Sequence, residues 1–75
     1  MGRLAGYSGR QVRTVAESLG WIHHRTAGDH FVYKKSGEVS NLSIPDHREV
    51  KPALLRDLIK TLGLTPDEFI ALVKK

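Results

Sequence analysis

The chain has 75 residues, no cysteine, and 12 Lys or Arg against 8 Asp or Glu, a formal charge of +4. A domain of this length buries only roughly 60% of the surface its unfolded chain exposes, which excludes a deep enclosed cavity and favours a shallow site for a polymeric substrate. The missing cysteines exclude disulfides, thiol nucleophiles and thiolate metal sites, and no apolar run approaches a membrane span.

The charge is uneven. Residues 1–35 carry a net +4, residues 36–50 a net −2 and residues 51–75 a net +2. A basic surface attracts phosphate polymers and loosens its grip as salt rises. The first ten residues lack the apolar stretch of a signal peptide, so the expected setting is cytoplasmic, with no membrane partner.

Residues 1–7, with Gly2 and Gly6, read as a flexible leader, and residues 8–75 as one domain. Ser8 and Gln11 have capping-box spacing. Val12, Val15, Ala16 and Leu19 then fall on one face of a helix that Gly20 closes. Trp21 to Thr26 reads as a strand, Ala27-Gly28-Asp29 as a turn, and His30 to Lys34 as a second strand. Ser36-Gly37-Glu38 is a hairpin turn, and Val39 to Ile44 a third strand with Leu42 and Ile44 on one face. Pro45 ends it, because proline lacks the donor a ladder needs.

Residues 46–51 form a polar loop. Pro52 opens a second helix with an apolar stripe of Leu54, Leu55, Leu58, Ile59 and Leu62, stopped by Gly63. Thr65, Pro66 and Glu68 set up a capping box for a short last helix, with Leu64 and Phe69 spaced as a hydrophobic staple. The order predicts an α+β fold: a three-stranded antiparallel sheet with both main helices on one face.

Within the second strand, Phe31 and Tyr33 share one sheet face, and His30, Val32 and Lys34 the other. Either Val32 or the aromatic pair points inward. Val32 is the favoured choice, with a twist or bulge keeping His30 accessible.

Four histidines, His23, His24, His30 and His47, are the candidates for chemistry, since an exposed imidazole exchanges protons near neutrality. His30 follows a glycine turn at a strand edge, where a substrate can meet it. Arg25, Lys34 and Lys35 lie close to it in sequence, interleaved with Phe31 and Tyr33. Cations bind phosphates, and aromatic faces stack on unpaired bases. No histidine pair has a zinc-site spacing, and there is neither a Gly-x-Ser-x-Gly elbow nor a phosphate-cradling glycine loop. No metal and no cofactor are expected. The second and last helices resemble a helix-turn-helix, but Pro66, Asp67 and Glu68 would present carboxylates to DNA where a recognition helix meets phosphates.

Taken together and in order, several segments resemble the HicA family of toxins from toxin–antitoxin modules. These are Leu19-Gly20-Trp21, Arg25, Gly28-Asp29-His30-Phe31-Val32-Tyr33-Lys34, Ile44-Pro45-Asp46-His47, Glu49-Val50-Lys51-Pro52 and Leu55-Arg56-Asp57-Leu58-Ile59-Lys60. The resemblance spans residues 8–73. It implies a double-stranded-RNA-binding-like α-β-β-β-α fold, to which the last helix is a short C-terminal addition, ribosome-independent cleavage of mRNA, and a HicB-type antitoxin; the cleavage is expected to need no metal, and the antitoxin to cover the basic face that bears His30. The resemblance makes His30 the catalytic histidine; beside it, on charge and chemistry, Arg25, Lys34 and Lys35 are expected to offset charge on the phosphate and His47 to contact RNA. His47 is also a candidate for a second proton-transfer group. Asp29 departs from the serine usual before that histidine, and Ala53-Leu54 from the usual Gly-Thr. The alternatives are a module of the same fold that binds RNA without cutting it, and a DNA-binding regulator.

Overall fold

The computed structural model describes residues 3–75. Helix α1 spans Gly9–Ser18, strands β1, β2 and β3 span Ile22–Ala27, His30–Lys34 and Leu42–Pro45, and helices α2 and α3 span Pro52–Thr61 and Pro66–Val73. The sheet is antiparallel throughout, in the order β1-β2-β3. This is the expected α-β-β-β-α arrangement with an added C-terminal helix.

The local signals act as anticipated at the helix ends. Ser8 caps α1 by accepting from the Gln11 N–H while the Gln11 side chain accepts from the Ser8 N–H. Thr65 and Glu68 do the same for α3. Each box satisfies two N–H groups that a helix otherwise leaves without partners. Gly20 and Gly63 take φ of +96° and +78° just beyond α1 and α2, where a side chain would be strained.

Register shows which face each strand residue takes. Tyr33 pairs with Leu42 and Phe31 with Ile44, so these four share a face. That face packs on Val12, Val15 and Ala16 of α1 and on Leu55, Leu58 and Ile59 of α2, in one hydrophobic cluster that also holds Phe69 of α3. Both main helices therefore cover the same side. The opposite side carries Arg25, His30, Val32 and Lys34.

Three expectations are corrected. Tyr33, not Val32, points to the helices: Tyr33 is 0% exposed within the core, while Val32, at 7%, lies outside that cluster on the other face. The larger apolar ring goes inward because its hydroxyl finds partners there, donating to Glu17 at 2.5 Å and accepting from Arg13 Nε at 3.0 Å. The irregularity falls on β1, where the register shifts between His23 and Arg25. The third strand is also shorter than expected. Pairing with β2 begins at Leu42 opposite Tyr33, so residues 39–41 have no ladder partner there, and Val39 is fully exposed.

The third correction concerns the leader. Its first two residues lie outside the described part, but residues 3–7 are tied to the domain. Leu4 is buried in the core. Tyr7 meets the Phe69 ring edge-on at 5.4 Å, and its carbonyl accepts from Val50 N–H at 2.7 Å. Arg3 pairs with Asp67, and Gly6 N–H donates to Glu49.

Candidate active site

The β1–β2 hairpin closes through two residues, Gly28 and Asp29, between the paired Ala27 and His30. Gly28 has φ of +60°, at the first central position where a type II′ turn calls for glycine. This tight turn sets Asp29 and His30 at the very end of the sheet. The end of β3 comes alongside: His30 pairs with Pro45, and Asp46 N–H donates to the Asp29 carbonyl at 2.6 Å. The next residue, His47, is thereby brought beside the turn.

The outcome is a carboxylate between two imidazoles. Asp29 Oδ1 lies 2.9 Å from His30 Nδ1, and Asp29 Oδ2 lies 3.3 Å from His47 Nε2. The ring centroids are 6.5 Å apart. Both histidine side chains are about half exposed, 46% for His30 and 49% for His47. The hydrogen bond from His47, followed by the charge of His30, holds the Asp29 carboxyl below the usual carboxylate range. A carboxylate accepts from both rings at once. His30 Nε2 and His47 Nδ1 remain free of it, and each can give or take a proton.

The structure separates the candidate cations. Arg25 pairs with Val32, two residues before the position opposite His30 and on the same face. Such diagonal neighbours lie roughly 7–8 Å apart, within reach of a long side chain. Lys34 shares that face but sits four residues along β2, roughly 13 Å from His30 at the rise of a strand. Lys34 and Lys35 line a shallow depression with Ile22, His23, His24 and Ser36. They extend a basic surface instead of joining the histidine pair.

The aromatic residues do not provide the stacking faces expected of them. Tyr33 is buried. Phe31 is half-buried on the helix side, with the Arg13 guanidinium 3.7 Å from its ring centre and His23 against it at 5.8 Å. His23 itself bonds Thr26 at 2.9 Å, away from His30.

Sequence reasoning noted Asp29 as a departure and missed its place between two rings. It also missed Gly9. The Gly9 N–H donates to the His47 carbonyl at 2.9 Å, and its Cα faces the Pro45 carbonyl so closely that a Cβ would lie 1.9 Å from that oxygen. The only sequence signal was a glycine at the first position of a helix. Among the described residues no group of three or more His, Asp or Glu is arranged to hold a metal ion, and no helix is long and apolar enough to cross a membrane.

Against known families, residues 9–64 match the family described as HicA toxin of bacterial toxin-antitoxin. No curated protein matches the chain.

Proposed function

Since the chain belongs to the HicA family of toxins from bacterial toxin–antitoxin modules, we propose that it is a cytoplasmic endoribonuclease that cuts mRNA, with His30 as a general acid or base. The observation that carries this reading is the His30 imidazole. It is half exposed at the sheet end, held through Nδ1 by Asp29, with Nε2 turned free.

RNA brings its own nucleophile. When the 2′-oxygen attacks the adjacent phosphorus, its proton must leave, negative charge builds on the phosphoryl oxygens, and the departing 5′-oxygen must gain a proton. His30 performs one of these transfers, a contribution of roughly 10²–10⁴-fold. Arg25, on the same sheet face as His30, is a cation within reach of the phosphate undergoing attack, and His47 stands beside that phosphate across Asp29. Lys34, at the far end of β2, and Lys35 just beyond it grip neighbouring phosphates of the single-stranded RNA. No step runs through a metal, because proton transfer and charge neutralisation are both supplied by side chains.

The antitoxin partner of the module is, in this reading, a HicB-type protein that covers the face bearing His30 and Arg25. The double-stranded-RNA-binding-like architecture of the family suits a shallow site on one end of a small sheet.

The test is His30→Ala against labelled single-stranded RNA in EDTA. Wild type is expected to give discrete cut ends, and the variant to lose them while still shifting RNA on a gel. Equal cleavage by both proteins removes His30 from the chemistry. A shift with intact RNA for the wild type makes the protein an RNA-binding module instead.

A further inference from the structure

We infer that His47 is the second proton-transfer group of the cleavage site, and that Asp29 is the positioning residue that holds His30 and His47 as an acid–base pair. This rests on the endoribonuclease reading above and assigns what that reading leaves open, namely where the second proton goes.

The argument begins with the hydrogen-bond inventory. An ionised carboxylate is acceptor-only, with two oxygens. Asp29 uses one oxygen for each ring, His30 Nδ1 at 2.9 Å and His47 Nε2 at 3.3 Å. Each contact is favourable when that ring nitrogen carries hydrogen, so Asp29 selects the Nδ1–H form of His30 and the Nε2–H form of His47. The partner a ring nitrogen keeps decides which nitrogen is left for chemistry. The two left over are His30 Nε2 and His47 Nδ1, on half-exposed rings whose centres are 6.5 Å apart. Rings this close can serve one phosphoryl group, and the assignment requires each free nitrogen to come within about 2.8 Å of one apical oxygen when substrate is bound.

The step balances with these two groups alone. The neutral imidazole takes the 2′-hydroxyl proton as the O2′–P bond forms. The protonated imidazole gives its proton to O5′ as the P–O5′ bond breaks. The products are a 2′,3′-cyclic phosphate and a 5′-hydroxyl, and the pair ends with the proton on the opposite ring. The anionic Asp29 beside both rings stabilises whichever one carries the charge.

Other ionisable groups come from every element meeting here: Arg25 on β1, Arg10 on the first turn of α1, and Asp46, Arg48 and Glu49 in the loop before α2. Arg10 lines a cleft with Asp46, and Glu49 is occupied by the Gly6 N–H. None of these five bonds to either imidazole; Asp29 does.

A phosphate contact at His47 and a proton-transfer role are distinguished by kinetics. Single-turnover cleavage of single-stranded RNA is followed from about pH 5 to 9, the span over which imidazoles titrate. Wild type is expected to give a bell, and His30→Gln and His47→Gln each to lower the rate by roughly 10²–10⁴-fold and to lose one limb. Affinity for a 2′-deoxy analogue of the substrate should change little. With a sulfur replacing the bridging 5′-oxygen, the leaving group needs no proton, so one of the two variants should recover. A His47→Gln enzyme that keeps both limbs, that loses affinity alone, or a pair in which neither variant recovers overturns the assignment. A wild type that cuts no RNA instead overturns the endoribonuclease reading and this inference with it, and a fully active His30→Gln removes His30 from the chemistry and so dissolves the pair. Asp29 has a readout that does not depend on activity. Imidazole ¹⁵N spectra should show Nδ1–H for His30 and Nε2–H for His47, and Asp29→Asn, with a single oxygen to offer, should lose one of these forms. Unchanged tautomers in that variant remove Asp29 from its role.

Discussion

Gly9 and His47 are joined by a backbone hydrogen bond of 2.9 Å, from the first residue of α1 to the carbonyl of the loop histidine. The bond forms only because glycine lets the helix start press against β3. A Cβ on Gly9 would meet the Pro45 carbonyl oxygen at 1.9 Å, and the backbone of Pro45, opposite His30 at the sheet end, has little room to retreat.

Gly9→Ala therefore sets two effects against each other. Helix propensity favours alanine by at most about 1 kcal/mol, whereas forcing atoms into a filled space costs about 1–3 kcal/mol. The clash should win. Urea unfolding is expected to show net destabilisation. RNA cleavage by the folded variant should also fall, because the displaced segment carries His47. A variant as stable and active as wild type would mean that α1 and β3 do not approach so closely.

Leu4→Ala tests whether the leader belongs to the core. Leu4 is buried in the main hydrophobic cluster, and truncating a buried leucine costs roughly 2–5 kcal/mol. A loss of that order is expected in equilibrium unfolding, with the cleavage rate of the folded fraction kept. No loss would place residues 3–7 off the domain.

Tyr33→Phe tests the polar anchor under α1. Burial, reinforced by the hydrogen bond to Glu17, pushes the Tyr33 hydroxyl above its ordinary value near 10. The folded pKa exceeds the unfolded one, so this group's stabilisation is complete below about pH 10 and is lost as pH rises through the folded value. Wild type should therefore weaken in alkali, and Tyr33→Phe should lack that component of the loss. At neutral pH the missing hydroxyl should cost about 1 kcal/mol. Thermal unfolding at neutral and alkaline pH measures both, and parallel curves for the two proteins would contradict the buried-phenol account.

Local physics made most of the framework legible in the sequence. Capping boxes at Ser8 and Thr65, the glycine stops, the His30–Lys34 strand and the α2 stripe all depend on residues within a few positions of one another, so spacing alone reveals them. The same holds for His30 as the leading candidate, because the glycine turn that presents it is next to it in the chain. What the sequence left open depends on contacts between distant segments. Tyr33 displaced Val32 from the core because Arg13 and Glu17, on another element, satisfy its hydroxyl. Leu4 joined the core, and Lys34 proved remote from His30, for reasons of packing and strand rise. The union of Asp29, His30 and His47 needed two strand ends in register and a helix start pressed against them. An 18-residue separation between Asp29 and His47 carries no periodicity, so only the folded chain brings that carboxylate and that imidazole within hydrogen-bonding distance.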